Sequence, residues 1–181
     1  MKSILFSGVH GVGKGFFLKK IIKEIEGYNV YSASALIEKY HPSTDAGYKK
    51  VCNVKDNQEA LVKAVKEEKL KNENSFILDG HLCIFDMEGN VVRIPENFFG
   101  ETQIEVIVLL QDCPKMISDR INTRDGEEIS IQSIEKMQYE EQKFAEELWE
   151  KYKIPYVVVT HECTGVEFIQ RIQEIGGENI E

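Results

Sequence analysis

The segment Gly8-Val9-His10-Gly11-Val12-Gly13-Lys14-Gly15 follows directly on the apolar run Ile4 to Phe6. Its pattern is G-x-x-x-x-G-K, the phosphate-loop spacing. Glycines let successive backbone N–H groups turn inward without a Cβ in the way, and a helix starting behind them adds partial positive charge. Lys14 stands where a side chain can reach the outer phosphates of a nucleotide. A chance glycine turn is the alternative, and the position straight after a buried strand argues against it. Gly15 and Phe16 occupy the places where a hydroxyl more often helps to hold Mg²⁺. That excludes the commonest layout of such loops.

Behind this loop, short apolar runs alternate with stretches of helical period. The pattern predicts strands at Ile4–Ser7, Tyr28–Ser32, Phe76–Leu78, Ile104–Leu110 and Pro155–Thr160. Helices are expected at about 13–26, 33–40, 57–71, from Pro114, 131–152 and from Thr164. Leu61, Val65 and Leu70 should share the buried face of the third. Asp112 is expected to cap the helix that Pro114 opens, and Thr164 to Glu167 reads as a capping box. Leu82–Phe85 and Val91–Ile94 flank Glu88-Gly89-Asn90 and read as a hairpin. Strands without polar alternation, separated by helices, predict an α/β protein with a parallel sheet covered on both faces. One domain over 1–181 is expected, without repeat or linker.

Composition narrows the partners. The formal net charge is −9, with no long basic run, so nucleic acid held through its backbone is not expected. The cysteines, Cys52, Cys83, Cys113 and Cys163, form no C-x-x-C pair, and buried free thiols in a reducing compartment are the favoured reading. No signal peptide or bilayer-crossing run is read, so a cytoplasmic location without membrane partners is expected.

The loop ends G-K-G, and G-x-x-G-x-G-K-G resembles the phosphate loop of the adenylate kinase family. Ile77-Leu78-Asp79-Gly80 looks like that family's strand-end Asp-Gly, and Asp119-Arg120-Ile121 followed by Arg124 is similar to the segment entering its lid. The stretch from Phe76 through Glu141 also resembles the archaeal-type adenylate kinases. The resemblance implies a P-loop NTPase fold: a three-layer α/β/α sandwich with a five-stranded parallel sheet. It implies a helical monophosphate-binding arm at about 33–73 and a short lid at about 120–135. It further implies ATP, Mg²⁺ and transfer of a phosphoryl group to a nucleoside monophosphate. Under it, Lys14, Arg120 and Arg124 are the catalytic cations, and Asp79 anchors the Mg²⁺ water shell. Gly8, His10, Gly11, Val12, Gly13, Lys14, Gly15, Phe16, Arg120, Thr160 and Gly165 contact the ATP. Ser34, Lys50, His81 and Arg93 are the acceptor-side candidates.

Departures from that family keep other readings open. Phe16 replaces its usual threonine, and no arginine precedes Arg93 or lies between Arg124 and Arg171. Lysines on the arm (Lys39, Lys49, Lys50, Lys55) bind phosphate only as point charges. A kinase for another small molecule and an ATP-binding regulator with little turnover are the alternatives. Arg120 and Arg124 could instead be a solvated helix face paired with Asp119 or Asp125. Phe16, Phe17 and Leu18 are expected to pack in the core or arm. His41 and His161 have no supporting constellation.

Overall fold

The computed structural model describes residues 2–40, 54–86, 88–126 and 128–177. Strand β1 (Ser3–Ser7) is buried at every position. Successive strand side chains point to opposite faces, so both faces of β1 are covered. The glycine loop follows, then α1 (Lys14–Ile21), β2 (Tyr28–Ser32), α2 (Ala33–Tyr40) and α3 (Val54–Lys71). Next come β3 (Ser75–Asp79), the antiparallel hairpin β4 (Cys83–Phe85) and β5 (Val91–Arg93), and α4 (Asn97–Thr102). The chain closes with β6 (Val106–Leu110), α5 (Pro114–Asp125), α6 (Ile131–Tyr152), β7 (Tyr156–Val159) and α7 (Gly165–Gly177).

The main sheet is five-stranded, ordered β2-β3-β1-β6-β7, and every neighbouring pair is parallel. Phe6 is in register with Asp79 and with Val108. The glycine loop therefore leaves the carboxyl edge of the central strand, beside Asp79. The connection from β1 runs to β2 on one side of it, and the connection from neighbouring β3 runs to β6 on the other, so the loop sits at a topological switch point, where open α/β sheets bind ligands. The expected P-loop NTPase fold is the fold observed.

Several local expectations are corrected. α1 stops at Ile21, not near Glu26, because the chain tightens into i→i−3 bonds such as Glu24 N–H to the Ile21 carbonyl, 2.8 Å. The Glu24 carboxylate then accepts from the Gly165 N–H at 2.7 Å, which a continuing helix would prevent. α4 was not expected at all; it is a single short turn that buries Phe98 and Phe99. On α3 the buried stripe is Leu61, Ala64, Val65 and Glu68, and Leu70 is exposed. Nine helical steps from Leu61 bring Leu70 to the opposite face. Cys113, not Asp112, is the N-cap residue of α5, and it is exposed while Cys83 and Cys163 are buried. Cys52 lies outside the described residues.

The long helix α6 carries an extended buried stripe: Ile134, Met137, Phe144, Ala145 and Leu148 are buried, with Ser130 as N-cap accepting from the Ser133 N–H. Burying each large apolar side chain is worth about 1.5–3 kcal/mol, which clamps α6 against the hairpin and sheet. One member of this buried stripe is charged, Glu141. The expected arm spans α2 and α3, with 41–53 outside the described residues. The expected lid covers the end of α5, Gly126 and the start of α6, and Ser118 Oγ there donates to the Ile129 carbonyl at 2.9 Å.

Candidate active site

The glycine loop is built for close approach. A Cβ on Gly8 would lie 2.7 Å from the Leu110 carbonyl oxygen, so β6 permits only glycine there. Gly13 has φ 99°, and a Cβ on it would meet the His161 ring at 2.8 Å. A Cβ on Gly11 would strike the Ile121 side chain. Nothing lies within 4 Å of a Cβ on Gly15, and Phe16 beside it is 74% exposed. Phe17 and Leu18 are buried as expected; Phe16 is not, because the first turn of α1 aims it away from the sheet.

Lys14 Nζ donates to the Gly8 carbonyl at 3.0 Å and lies 3.3 Å from His81 Nε2 and 3.8 Å from Asp79 Oδ1. The loop thus brings Lys14, Asp79 and His81 together. Burial holds the Lys14 ammonium below its usual pKa, against the pull of Asp79 and Glu141. Burial likewise raises the Asp79 carboxyl, with Lys14 opposing. His81 is pushed down to about 3, by burial first and then by Lys14, so it is a neutral ring at pH 7.

Beneath this cluster lies Glu141, which is almost fully buried. Its Oε1 accepts from Ser7 Oγ at 2.8 Å and from the Leu82 N–H at 3.2 Å. The Leu82 N–H also reaches Ser7 Oγ at 2.8 Å. The carboxylate therefore joins the residue before Gly8 to the residue after His81. Burial raises its pKa, with the Ser7 hydrogen bond and Lys14 acting the other way. The sequence held one sign of it: a glutamate inside the apolar stripe of α6.

The arginines divide. Arg120 donates to the Val12 carbonyl at 3.1 Å and to Asp112 Oδ2 at 2.6 Å. It braces the loop from α5, and its acid partner is Asp112. Arg124 is more exposed and forks onto Asp125 through Nε (2.8 Å) and a terminal nitrogen (2.6 Å). That terminal nitrogen also lies 2.6 Å from His10 Nε2, which is 3.2 Å from Asp125 Oδ2. One ring nitrogen cannot accept from Arg124 and donate to Asp125 at once, so the His10 tautomer selects between them. The pairing with Asp125, weighed from sequence as an ordinary helix-face contact, is present, but it carries Arg124 to the loop residue His10.

The remaining site candidates have these surroundings. Arg93 donates to Glu147 at 2.5 Å and to Glu140 at 3.2 Å, and sits 4.9 Å over the Phe144 ring, so α6 engages it. Ser34 Oγ pairs with Ser32 Oγ at 2.9 Å at the mouth of β2. Lys50 lies outside the described residues. Thr160 is exposed in the loop after β7. Gly165 faces the turn that follows α1, its N–H taken by Glu24. His161, set aside in the sequence, lies against the loop with Nε2 2.6 Å from the Val12 carbonyl. No periodicity flags it, since it follows β7 in an irregular turn.

The cradle suits a polyphosphate: it excludes Cβ atoms at Gly8, Gly11 and Gly13 and presents one buried ammonium. Asp79 suits Mg²⁺ held mainly by water and phosphate, since that ion commonly takes one or two carboxylates and keeps its remaining waters. No group of three or more metal-ligating side chains occurs among the described residues, and none of their helices is long and apolar enough to cross a membrane.

Fold and site define a P-loop NTPase. A family model described as "AAA domain" matches residues 7–138, well over half the chain, and the protein belongs to that family. Among solved structures, the Deinococcus radiodurans tunicamycin resistance protein is similar at 13% identity and TM-score 0.60, covering 98% of this chain and 94% of its own. Deoxyadenosine kinase from M. mycoides with bound dATP is similar at 17% identity and TM-score 0.54, covering 95% of this chain and 97% of its own. A gluconokinase from Sinorhizobium meliloti 1021 is similar at 15% identity and TM-score 0.50, covering 98% and 92%. A search of curated proteins gives no match. At these identities the solved structures speak to fold alone.

Proposed function

We propose that this protein is an ATP-dependent kinase acting on a small acceptor bound between the end of β3 and the α2–α3 arm. The observation that carries the reading is Lys14 Nζ, held by the Gly8 carbonyl and within 3.8 Å of Asp79 and 3.3 Å of His81 at the switch point of the sheet. ATP with Mg²⁺ would supply the transferable phosphoryl group. The chain's own work is positioning and charge, which is most of what phosphoryl transfer requires. Loop amides orient the phosphates, and Lys14 neutralises them. Asp79 would hold the Mg²⁺ ion through its waters. Arg124 supplies a second cation at the loop's open side once it leaves Asp125.

Of the acceptor classes expected from the sequence, a neutral hydroxyl compound is favoured over a nucleoside monophosphate. A monophosphate calls for arginine forks; Arg93 is held by Glu140 and Glu147, Arg120 by Val12 and Asp112, and Arg171 by the Val158 carbonyl at 3.1 Å, while Arg124 is assigned to the glycine loop and not to the arm. Ser32 is in register with Asp79 at the end of β3, Ser34 opens the arm, and His81 beside Lys14 is a neutral imidazole; these are groups that recognise hydroxyls. The nucleoside-monophosphate reading rests on Lys50 and its neighbouring lysines.

The gluconokinase and deoxyadenosine kinase of like fold guide the choice of acceptors to assay. ADP release is measured with ATP and Mg²⁺ plus each monophosphate, each nucleoside and a set of sugars and sugar acids. Release that requires a hydroxyl compound and vanishes in Lys14→Ala is expected. Release driven by one monophosphate alone returns the adenylate-kinase-like reading. Tight ATP binding with no acceptor-dependent release defeats both and leaves a nucleotide-binding regulator.

A further inference from the structure

The Val12 carbonyl is approached by two donors from different parts of the chain. Arg120 of α5 reaches it at 3.1 Å, and His161 Nε2, from the turn after β7, reaches it at 2.6 Å. A carbonyl oxygen only accepts, so His161 Nε2 carries a proton here. No cis peptide occurs among the described residues, so the Val12–Gly13 unit is trans and its N–H points opposite to its C=O. Fixing the Val12 oxygen toward Arg120 and His161 therefore turns the Gly13 N–H the other way, to the side of the loop away from both.

The imidazole is itself held firmly. Its edge meets the Phe17 ring with centroids 6.1 Å apart, and it fills the space a Gly13 Cβ would take. Lys20 Nζ binds the His161 carbonyl at 3.3 Å, which ties the turn to α1. Asp112 Oδ2 lies 3.7 Å from Nε2 while bonding Arg120 at 2.6 Å. The Asp112 backbone is clamped on both sides by the Gln138 side chain, at 3.2 and 3.1 Å.

We infer that His161 is a positioning residue for nucleotide binding: its Nε2–H locks the Val12–Gly13 peptide plane so that the Gly13 amide is aimed at the phosphates before the nucleotide arrives. This deepens the proposed function and rests on the glycine loop being a phosphate site. Preorganised donors act without reorientation cost, and a peptide free to flip would lose that advantage.

Two substitutions separate the donor from the ring. His161→Phe keeps the packing on Phe17 and Gly13 and removes the N–H. His161→Gln restores an N–H donor at similar reach. Affinity is measured by calorimetry for ATP and for inorganic tripolyphosphate, which lacks base and ribose, with Lys14→Ala as the loop control and thermal melts as the folding control. The expected result is an approximately tenfold weaker affinity of His161→Phe for both probes, by the same factor, with Gln within about threefold of wild type. Unchanged binding by the Phe variant overturns the inference. So does a loss confined to ATP, which would place His161 at the base, and so does an equal loss in Phe and Gln. Failure of wild type to bind either probe is a different outcome: it removes the phosphate site itself.

Discussion

Glu141 offers the sharpest test of how this site is held. Replacing it with alanine removes the acceptor shared by Ser7 Oγ and the Leu82 N–H. Each hydrogen bond to a charged group is worth about 1.5–3 kcal/mol, so the gross loss is about 3–6 kcal/mol. Part is recovered because a buried carboxylate no longer has to be desolvated, and Leu82 keeps Ser7 Oγ as an acceptor. A net loss of about 2–4 kcal/mol is expected, which for a domain of this size lowers Tm by roughly 5–12 °C. Glu141→Gln keeps an acceptor and the volume and should lose less than about 1 kcal/mol near neutral pH. The pH sense follows from the raised carboxyl of Glu141. The folded state binds its proton more tightly than the unfolded state. The stabilisation is therefore full below the unfolded carboxylate pKa and is lost as pH rises through the folded value. Urea unfolding of wild type and Glu141→Gln across acid to neutral pH should show the wild type's advantage shrinking as pH rises. An alanine variant as stable as wild type, or an advantage that grows with pH, refutes the reasoning.

Two further predictions follow from the site geometry. Arg93→Ala should cost about 1–2 kcal/mol through its partly exposed pairs to Glu140 and Glu147 and its stacking on Phe144, with the acceptor KM unchanged; a KM raised tenfold at unaltered Tm would return Arg93 to the acceptor side. Gly13→Ala meets both a positive φ and the His161 ring 2.8 Å away, so ATP affinity measured by calorimetry should fall at least tenfold; an unaffected Kd would mean that the loop relaxes freely.

The sequence was most legible where local pattern and tertiary role agree. β2, α2 and α6 begin and end where apolar spacing and punctuation placed them, and Gly8 to Lys14 announced the loop. α4 escaped because Asn97 to Thr102 is too short for a period to develop, and α1 was overextended because its end is set by Glu24 reaching Gly165. The site was half readable. Lys14 and Asp79 belong to motifs, whereas Arg93 had to choose between an acceptor and two glutamates 47 and 54 residues away, which no local pattern reveals. Asp112 was expected to cap α5; instead its side chain serves Arg120, eight residues on, and His161. His161 itself meets a carbonyl 149 positions earlier in the chain. Glu141 left one trace, a charge where the helix period demands an apolar residue, and it marks the buried link under the loop.

The most direct measurement is the amide ¹H–¹⁵N spectrum of the protein titrated with ATP and Mg²⁺. Saturable shifts centred on the amides of residues 8 to 15, abolished by Lys14→Ala while the rest of the spectrum stays folded, are predicted. Shifts centred elsewhere on the sheet, or none at millimolar ATP, would contradict the assignment of this loop as a phosphate cradle.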